Sequence, residues 1–401
     1  MAGILAGITV IELASWVFVP SATAILADLG ADVIKIEHPT YGDPVRGLDA
    51  SALPDDVPNI LFEQGNRGKR SVGLDVTSAD GKDVLRRLVQ TADVFATNWL
   101  GKTRRREHLD VDDVRAWNPD IIYARGTGLG PDGDEADRAS FDATAYWYRA
   151  GFAHILTPPN QEWPIAQRLG IGDLPSGAML AAGIMGALFA RERTGEASLV
   201  DVSLLSTASW VLAPDIVAGK MSPEVSQPVI GRGDPKNPLA NLYRTKDDRI
   251  ISLVMMESDR YWADFCTAVG RPELVPDERF SDSSRRSANA SDLIKIFDEV
   301  FTSRTLAEWR PILSAMKGAW GVVQNATEVA VDPQVEANDY LTRVDREGAE
   351  LWLTRAPFSF DRDRPALRPT PQHGEHTDTV LQTLGFSWDE IVKLKVAGVV
   401  L

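Results

Sequence analysis

Through residues 1–125 the chain alternates short aliphatic and β-branched runs with segments of helical period. ITVIEL, DVIKIE, SVGLDV, DVFATN and DIIYARG have the character of strands, while a segment opened by Pro20 and Ser21 and the stretch SADGKDVLRRLVQTA repeat apolar positions at helical spacing. Strand, helix, strand repetition predicts an α/β domain with a largely parallel sheet. No GxGxxG follows the first strand, so the sheet is expected to be Rossmann-like without the dinucleotide fingerprint. From Gln167 to Gly195 runs QRLGIGDLPSGAMLAAGIMGALFARERTG, a helix apolar almost all the way round and therefore meant for burial. Asp173 stands near its start, and Thr194-Gly195 marks its stop.

LVDVSLLSTASWVLAPDIVAG continues as a strand and a second apolar helix. From Gln227 the texture changes to PVIGRGDPKNPLANLYRT, a Pro- and Gly-bearing crossing segment, then a strand RIISLVM and the helices YWADFCTAVG, SDLIKIFDEVF and LAEWRPILSAM. These read as a smaller α+β domain. The tail from Thr327, broken by Pro365, Pro369 and Pro371, is expected to return to the first domain. The organisation is thus a large domain over 1–226 rejoined by 327–401, with a linker and small domain over 227–326.

Composition narrows the functional classes. The 401 residues carry 44% apolar and 25% charged side chains, as an ordinary globular chain does. A net charge of −15 argues against binding nucleic acid or a membrane surface, both of which need a basic field. The N-terminus has no basic leader and no charge-free run is read as a membrane span, so a cytoplasmic protein is expected. The one cysteine, Cys266, excludes an internal disulfide and a CxxC metal site, and is read as a small packed hydrophobe.

Chemistry concentrates at Asp173. As a residue ahead of a helix it is read as an N-cap; with Gly170 and Gly172 beside it, a ligand could also approach closely, and an ionised carboxylate could act as a nucleophile on an activated acyl group. Spacing leaves both readings open. LAGITVIELASWVFVPSATAILADLGADVIKIE, GDPVR, NRGKRSVGLDV, NPDIIYARGTGLG, GDLPSGAMLAAGIMGALFARERTG, VDVSLL, NPLANLYRTKD, DPQV and GEHTDTVLQTLG together cover nearly the whole chain, and in them the sequence resembles the family III CoA-transferases. The resemblance implies that Asp173, in the GD motif, attacks an acyl-CoA thioester to give an aspartyl anhydride and then an aspartyl-CoA thioester that the acceptor acid resolves. Backbone N–H groups of the nearby glycine loops would steady the oxyanion. No metal and no permanently bound cofactor is implied, coenzyme A thioester being the substrate. An interlocked, ring-like homodimer is implied too.

An acidic protein that binds CoA phosphates must present cations locally, and NRGKR (Arg67, Lys69, Arg70) and GKTRRR (Lys102, Arg104, Arg105, Arg106) are the basic runs available. The resemblance places CoA contacts on Val17, Phe18, His38, Leu74, Asp75, Val76, Thr77, Asn98, Trp99, Leu100 and Arg106. Histidine stands at 38 where formyl-CoA transferase has arginine, and NWLGKT replaces the family's commoner NFRPGT. Next to the helix, Phe141-Asp142 occupies the place of the His-Asp pair of α-methylacyl-CoA racemase. Racemisation needs two acid/base groups and phenylalanine carries no proton, so CoA transfer is the leading reading, with a racemase or a noncatalytic CoA-ester binding protein as alternatives. His108, His154, His373 and His376 are given structural or surface roles. The aromatic set Phe141, Tyr146, Trp147, Tyr148, Phe152 and Trp163, together with MMES at Met255 to Ser258 in place of a glycine-rich lid, points to a bulky, apolar acyl group wherever these residues line the pocket.

Overall fold

The computed structural model describes residues 3–48, 57–158, 160–223, 232, 236–346, 349–362 and 364–401. Part of the expected crossing segment, at 227–231 and 233–235, and the boundary at 226 lie outside the described residues. Strands β1 (Thr9–Leu13), β2 (Asp32–Glu37), β3 (Arg70–Gly73), β4 (Val94–Thr97), β5 (Ile122–Thr127) and β6 (Leu199–Ser203) form one sheet in the order β3-β2-β1-β4-β5-β6. Every pair in it is parallel. This is the doubly wound order, and its direction reverses between β1 and β4. The central strands are buried on both faces, which explains why they are apolar at nearly every position.

Helix α1 (Phe18–Asp28) covers one face of the sheet; α2 (Ile60–Asn66), α3 (Ala79–Gln90), α4 (Gly101–Arg106), α5 (Val111–Trp117) and α6 (Phe152–Leu156) follow in the connections. The long helix α7 (Asp173–Thr194) ends on Gly195 at φ +74, the left-handed stop its sequence announces. By length and composition α7 could cross a membrane, yet Ser176, Gly177, Leu180, Ala181, Ile184 and Ala187 are buried, as in a core helix. It packs against α1 with almost no gap. A Cβ on Gly177 would collide with the Ser21 side chain and lie 2.8 Å from the Phe18 carbonyl oxygen. Ile25, Leu26, Leu180 and Ile184 share one core beneath that crossing.

The opposite face of the sheet packs α3 with the C-terminal helices Thr377–Thr383 and Trp388–Val396 through Leu85, Leu88, Leu381 and Ile391. Residues 163–227 and 338–401 fall in the same compact unit as 1–157. That unit also holds the antiparallel pair β10 (Leu341–Arg346) and β11 (Ala349–Thr354). Helices α8 (Leu204–Val211) and α9 (Ala213–Met221) follow β6, and no residue of α9 is buried.

At the sheet lies a cluster of buried charges. Glu12 on β1 accepts from Lys35 Nζ (2.7 Å) and Lys69 Nζ (2.6 Å), as well as from Thr23. Lys35 also pairs with Asp43 at 2.8 Å, and all four charged side chains are buried. Burial alone would raise the Glu12 pKa, but the two ammonium groups outweigh it and hold it below the ordinary carboxylate value. Desolvation pulls Lys69 down to about 7. Of the NRGKR run, Lys69 is committed to Glu12 and Arg67 is buried against Asp28 (2.6 Å), while Arg70 pairs with Asp32 near the surface. Two of its three cations thus hold the fold from inside.

The second unit spans 158–162 and 228–337. Its strands β7 (Leu242–Arg244), β8 (Ile250–Leu253) and β9 (Trp320–Val322) are antiparallel. Helices Ser258–Ala268, Ala290–Thr302 and Leu306–Ala315 supply Trp262, Phe265, Phe297, Phe301 and Trp309 to its core. Cys266 is buried there, and that burial pushes its thiol pKa up to about 12, so it packs and does not react. Met255, the first residue of MMES, also lies in this core.

Candidate active site

A pocket of about 750 Å³ opens where β1 and β4 end, the switch point at which doubly wound sheets take their ligands. Three strand-end loops build it: Ser15 to Phe18 after β1, Asn98 to Gly101 after β4, and Gly126 to Gly128 at the end of β5. Asn98 joins two of them. Its side chain accepts from Ser15 N (3.1 Å) and donates to the Ser15 carbonyl (2.6 Å). Asp173, at the first turn of α7, lines it too, with Phe141, Asp142, Gln167 and Gly170.

The local structure around Asp173 differs from the helix cap its sequence suggests. Gly172 takes the cap position, and no side chain caps the helix. The Gly172 amide instead donates 3.1 Å to Oδ2 of Asp142, thirty positions away in sequence. A Cβ on Gly172 would collide with Tyr146 and the Asp142 carboxylate, so only glycine fits. Asp142 is buried and begins a wide π-helical turn, Ala143–Arg149, a geometry that recurs at functional sites. With its amide oriented to satisfy both neighbours, Gln167 donates to Asp142 Oδ1 (3.3 Å) and accepts from Ala143 N (3.0 Å). Burial lifts the Asp142 pKa while the amides of Gly172, Asp173 and Gly170 work to lower it. The glycine-loop amide expected at an oxyanion thus serves Asp142.

Asp173 itself is not the readily ionised acid its helix position implies. Burial, and then the charge of Asp142, push its pKa up to about 7. A carboxylate nucleophile must be deprotonated, so its reactive fraction grows as pH rises through that value. The expected pH profile for acylation by a saturating donor climbs about tenfold per unit below pH 7 and flattens above it. A profile flat from pH 5 to 9, measured by rapid-quench acylation, would contradict this ionisation.

Of the residues expected to touch CoA, Val17, Phe18, Asn98, Trp99 and Leu100 line this pocket. A second group does not. Leu74 and Val76 are buried in the core, Leu74 bridging to Val400. Asp75 lies beyond the end of β3, held below the ordinary carboxylate range foremost by Thr77, whose Oγ1 donates at 2.6 Å. His38 stacks on Tyr41 at 4.6 Å and accepts from Thr40 N on Nδ1 (3.1 Å). Arg106 points to solvent beside Glu107 (2.7 Å), whereas Arg104 and Arg105 of the same run line the pocket. Arg104 is tied to Asp110 and the Trp99 carbonyl, Arg105 to Asp137. From the aromatic set only Phe141 reaches the pocket; Tyr146 and Trp147 are buried and stack on Phe152. Sequence reasoning passed over Trp16, Gln167 and Thr127. Gln167 at least sits within the stretch that opens α7.

Among the described residues no cluster of His, Cys, Asp or Glu could hold a metal ion. A doubly wound sheet with an acid at its switch-point pocket has the form of a ligand-binding α/β protein. The chain belongs to the CoA-transferase family III, whose sequence profile matches residues 5–377. It is an enzyme of that acyl-CoA transferase type. It is 32% identical, over 97% of this chain and 95% of the relative, to cinnamoyl-CoA:phenyllactate CoA-transferase of Clostridium sporogenes. It is 31% identical, over 99% of each chain, to (R)-2-hydroxy-4-methylpentanoate CoA-transferase of Clostridioides difficile. A CAIB/BAIF family protein from Brucella suis shares the fold with a TM-score of 0.82 at 27% identity, covering 96% of this chain and 100% of its own.

Proposed function

We propose that this enzyme moves CoA from an acyl-CoA thioester to a free carboxylic acid through covalent intermediates on Asp173, with a bulky, apolar acyl group as its preferred cargo. The observation that carries the reading is an uncapped acid, its pKa raised, opening on the switch-point pocket. The carboxylate of Asp173 adds to the thioester carbonyl and the C–S bond breaks, leaving a mixed anhydride and CoA thiolate. The thiolate then attacks the Asp173 carbonyl, releasing the donor's carboxylate and leaving aspartyl-CoA thioester. An acceptor carboxylate reverses both exchanges, so that neither thiol nor anhydride need meet water. Asp142 holds the Gly172 turn that aims Asp173. Phe141 offers no second proton carrier, which disfavours racemisation. Phe18, Leu61, Leu169 and Leu204 line the pocket and suit an apolar acyl chain.

A homodimer belongs to the same reading. Trp210 is 77% exposed and Met221 79% exposed beside the wholly unburied α9, an apolar surface of the kind that marks protein contacts. The reaction is tested by incubating the protein with a labelled arylacyl-CoA and a free acid. CoA exchange by mass spectrometry, and a hydroxamate on Asp173 after hydroxylamine, are the expected results. Exchange that leaves Asp173 unmodified by hydroxylamine would remove the covalent route.

A further inference from the structure

Trp16 has the most constrained backbone in the pocket. Its φ is +70, a left-handed conformation that a side chain of this bulk rarely adopts. Two supports hold it, one buried and one half-buried. Asp43 Oδ1 accepts from Trp16 N (3.2 Å) while its other carboxylate oxygen pairs with Lys35 at 2.8 Å, and Asn98 holds Ser15 from both sides. What this turn achieves is placement. The indole stands 37% exposed in the pocket, and its ring centroid lies 5.0 Å from that of Phe141 at an interplanar angle of 81°. Phe141, itself 52% exposed, immediately precedes the Asp142 that fixes the Gly172-Asp173 turn. Two open aromatic rings, set edge to face, therefore line the same pocket as the acid proposed to receive the acyl group.

We propose that Trp16 is a specificity-determining residue, forming with Phe141 an aromatic wall that selects an aryl-bearing acyl group over a short aliphatic one. The inference rests on the reading of Asp173 as the acyl-accepting carboxylate. A perpendicular pair presents one ring's face and another's edge, so a third ring can stack offset on one while meeting the other edge-on. A four-carbon chain reaches neither ring fully and gains only the apolar area it covers. The strained Trp16 backbone is held by the Asp43 carboxylate, itself fixed by its buried pair with Lys35.

The test uses the full-length protein and two CoA thioethers that lack a reactive carbonyl, S-(3-phenylpropyl)-CoA and S-butyl-CoA, titrated by calorimetry. Trp16→Ala is expected to weaken the phenylpropyl compound about tenfold and the butyl compound less than about twofold. Trp16→Gly, which removes the same indole but accepts a positive φ, should melt above Trp16→Ala and show the same selectivity change. Equal weakening of both compounds, or of neither, overturns the wall. Wild-type protein that binds neither compound overturns both the wall and the CoA-transferase reading. Selective weakening in Trp16→Ala together with unchanged CoA exchange in Asp173→Ala sustains the wall and removes the nucleophile.

Discussion

Asp173→Ala should lower CoA exchange by about 10³-fold or more, with the fold retained and the variant melting at pH 8 no lower than wild type. The loss follows from the proposed chemistry: without that carboxylate no anhydride can form on residue 173, and the neighbouring Asp142 is occupied by the Gly172 amide. The melting behaviour follows from linkage. An acid whose pKa rises on folding, here to about 7, favours the folded state only while protonated. That contribution is present at low pH and fades as pH climbs through about 7. Removing the group therefore removes a cost that wild type bears at pH 8. Steady-state exchange and a melting scan at pH 8 check both halves. Substantial residual exchange, or a fall in melting temperature of many degrees, would show that Asp173 serves structure and not transfer.

The second large effect lies away from the pocket. Glu12→Ala should destabilise the protein by about 3–5 kcal/mol, because it removes the anion shared by two buried ammonium groups. Lys35 keeps Asp43 as a partner, but Lys69 keeps only the Pro20 carbonyl and Asn66 Oδ1, neither of them charged. Lys69 already has its pKa depressed to about 7, so in wild type its burial is unfavourable at low pH and relaxes as pH rises from about 7 towards the value of a free lysine. Loss of Glu12 depresses it further. The deficit should therefore be larger at pH 6 than at pH 8, as urea unfolding at the two values would show. A difference under about 1 kcal/mol would mean that Glu12 and Lys69 are not coupled.

Much of the large sheet was legible from alternation alone. The apolar runs at β1, β2, β4 and β5 are distinct because those strands are covered on both faces. The order of the strands was not, since parallel neighbours such as β1 and β4 lie more than eighty residues apart in the chain. At the site, the GD motif and its resemblance single out Asp173 as the candidate, yet its raised pKa could not be read there. The helix dipole is a local signal, whereas the desolvation and the Asp142 charge that oppose it come from a distant turn. The basic run NRGKR misleads for the same reason: its partners Asp28 and Glu12 are remote in sequence, so buried ion pairs look like a solvated patch. Arg104 and Arg106 differ by half a helical turn and thus by opposite exposures.

The close crossing at Gly177 has one more consequence. Because the Phe18 carbonyl sits against the backbone of the helix that begins at Asp173, the first turns of the two helices and the adjoining rim at Val17 and Phe18 are clamped together behind the pocket. A methyl group at residue 177 would wedge them apart, so Gly177→Ala should reshape the pocket from behind without replacing any residue that lines it.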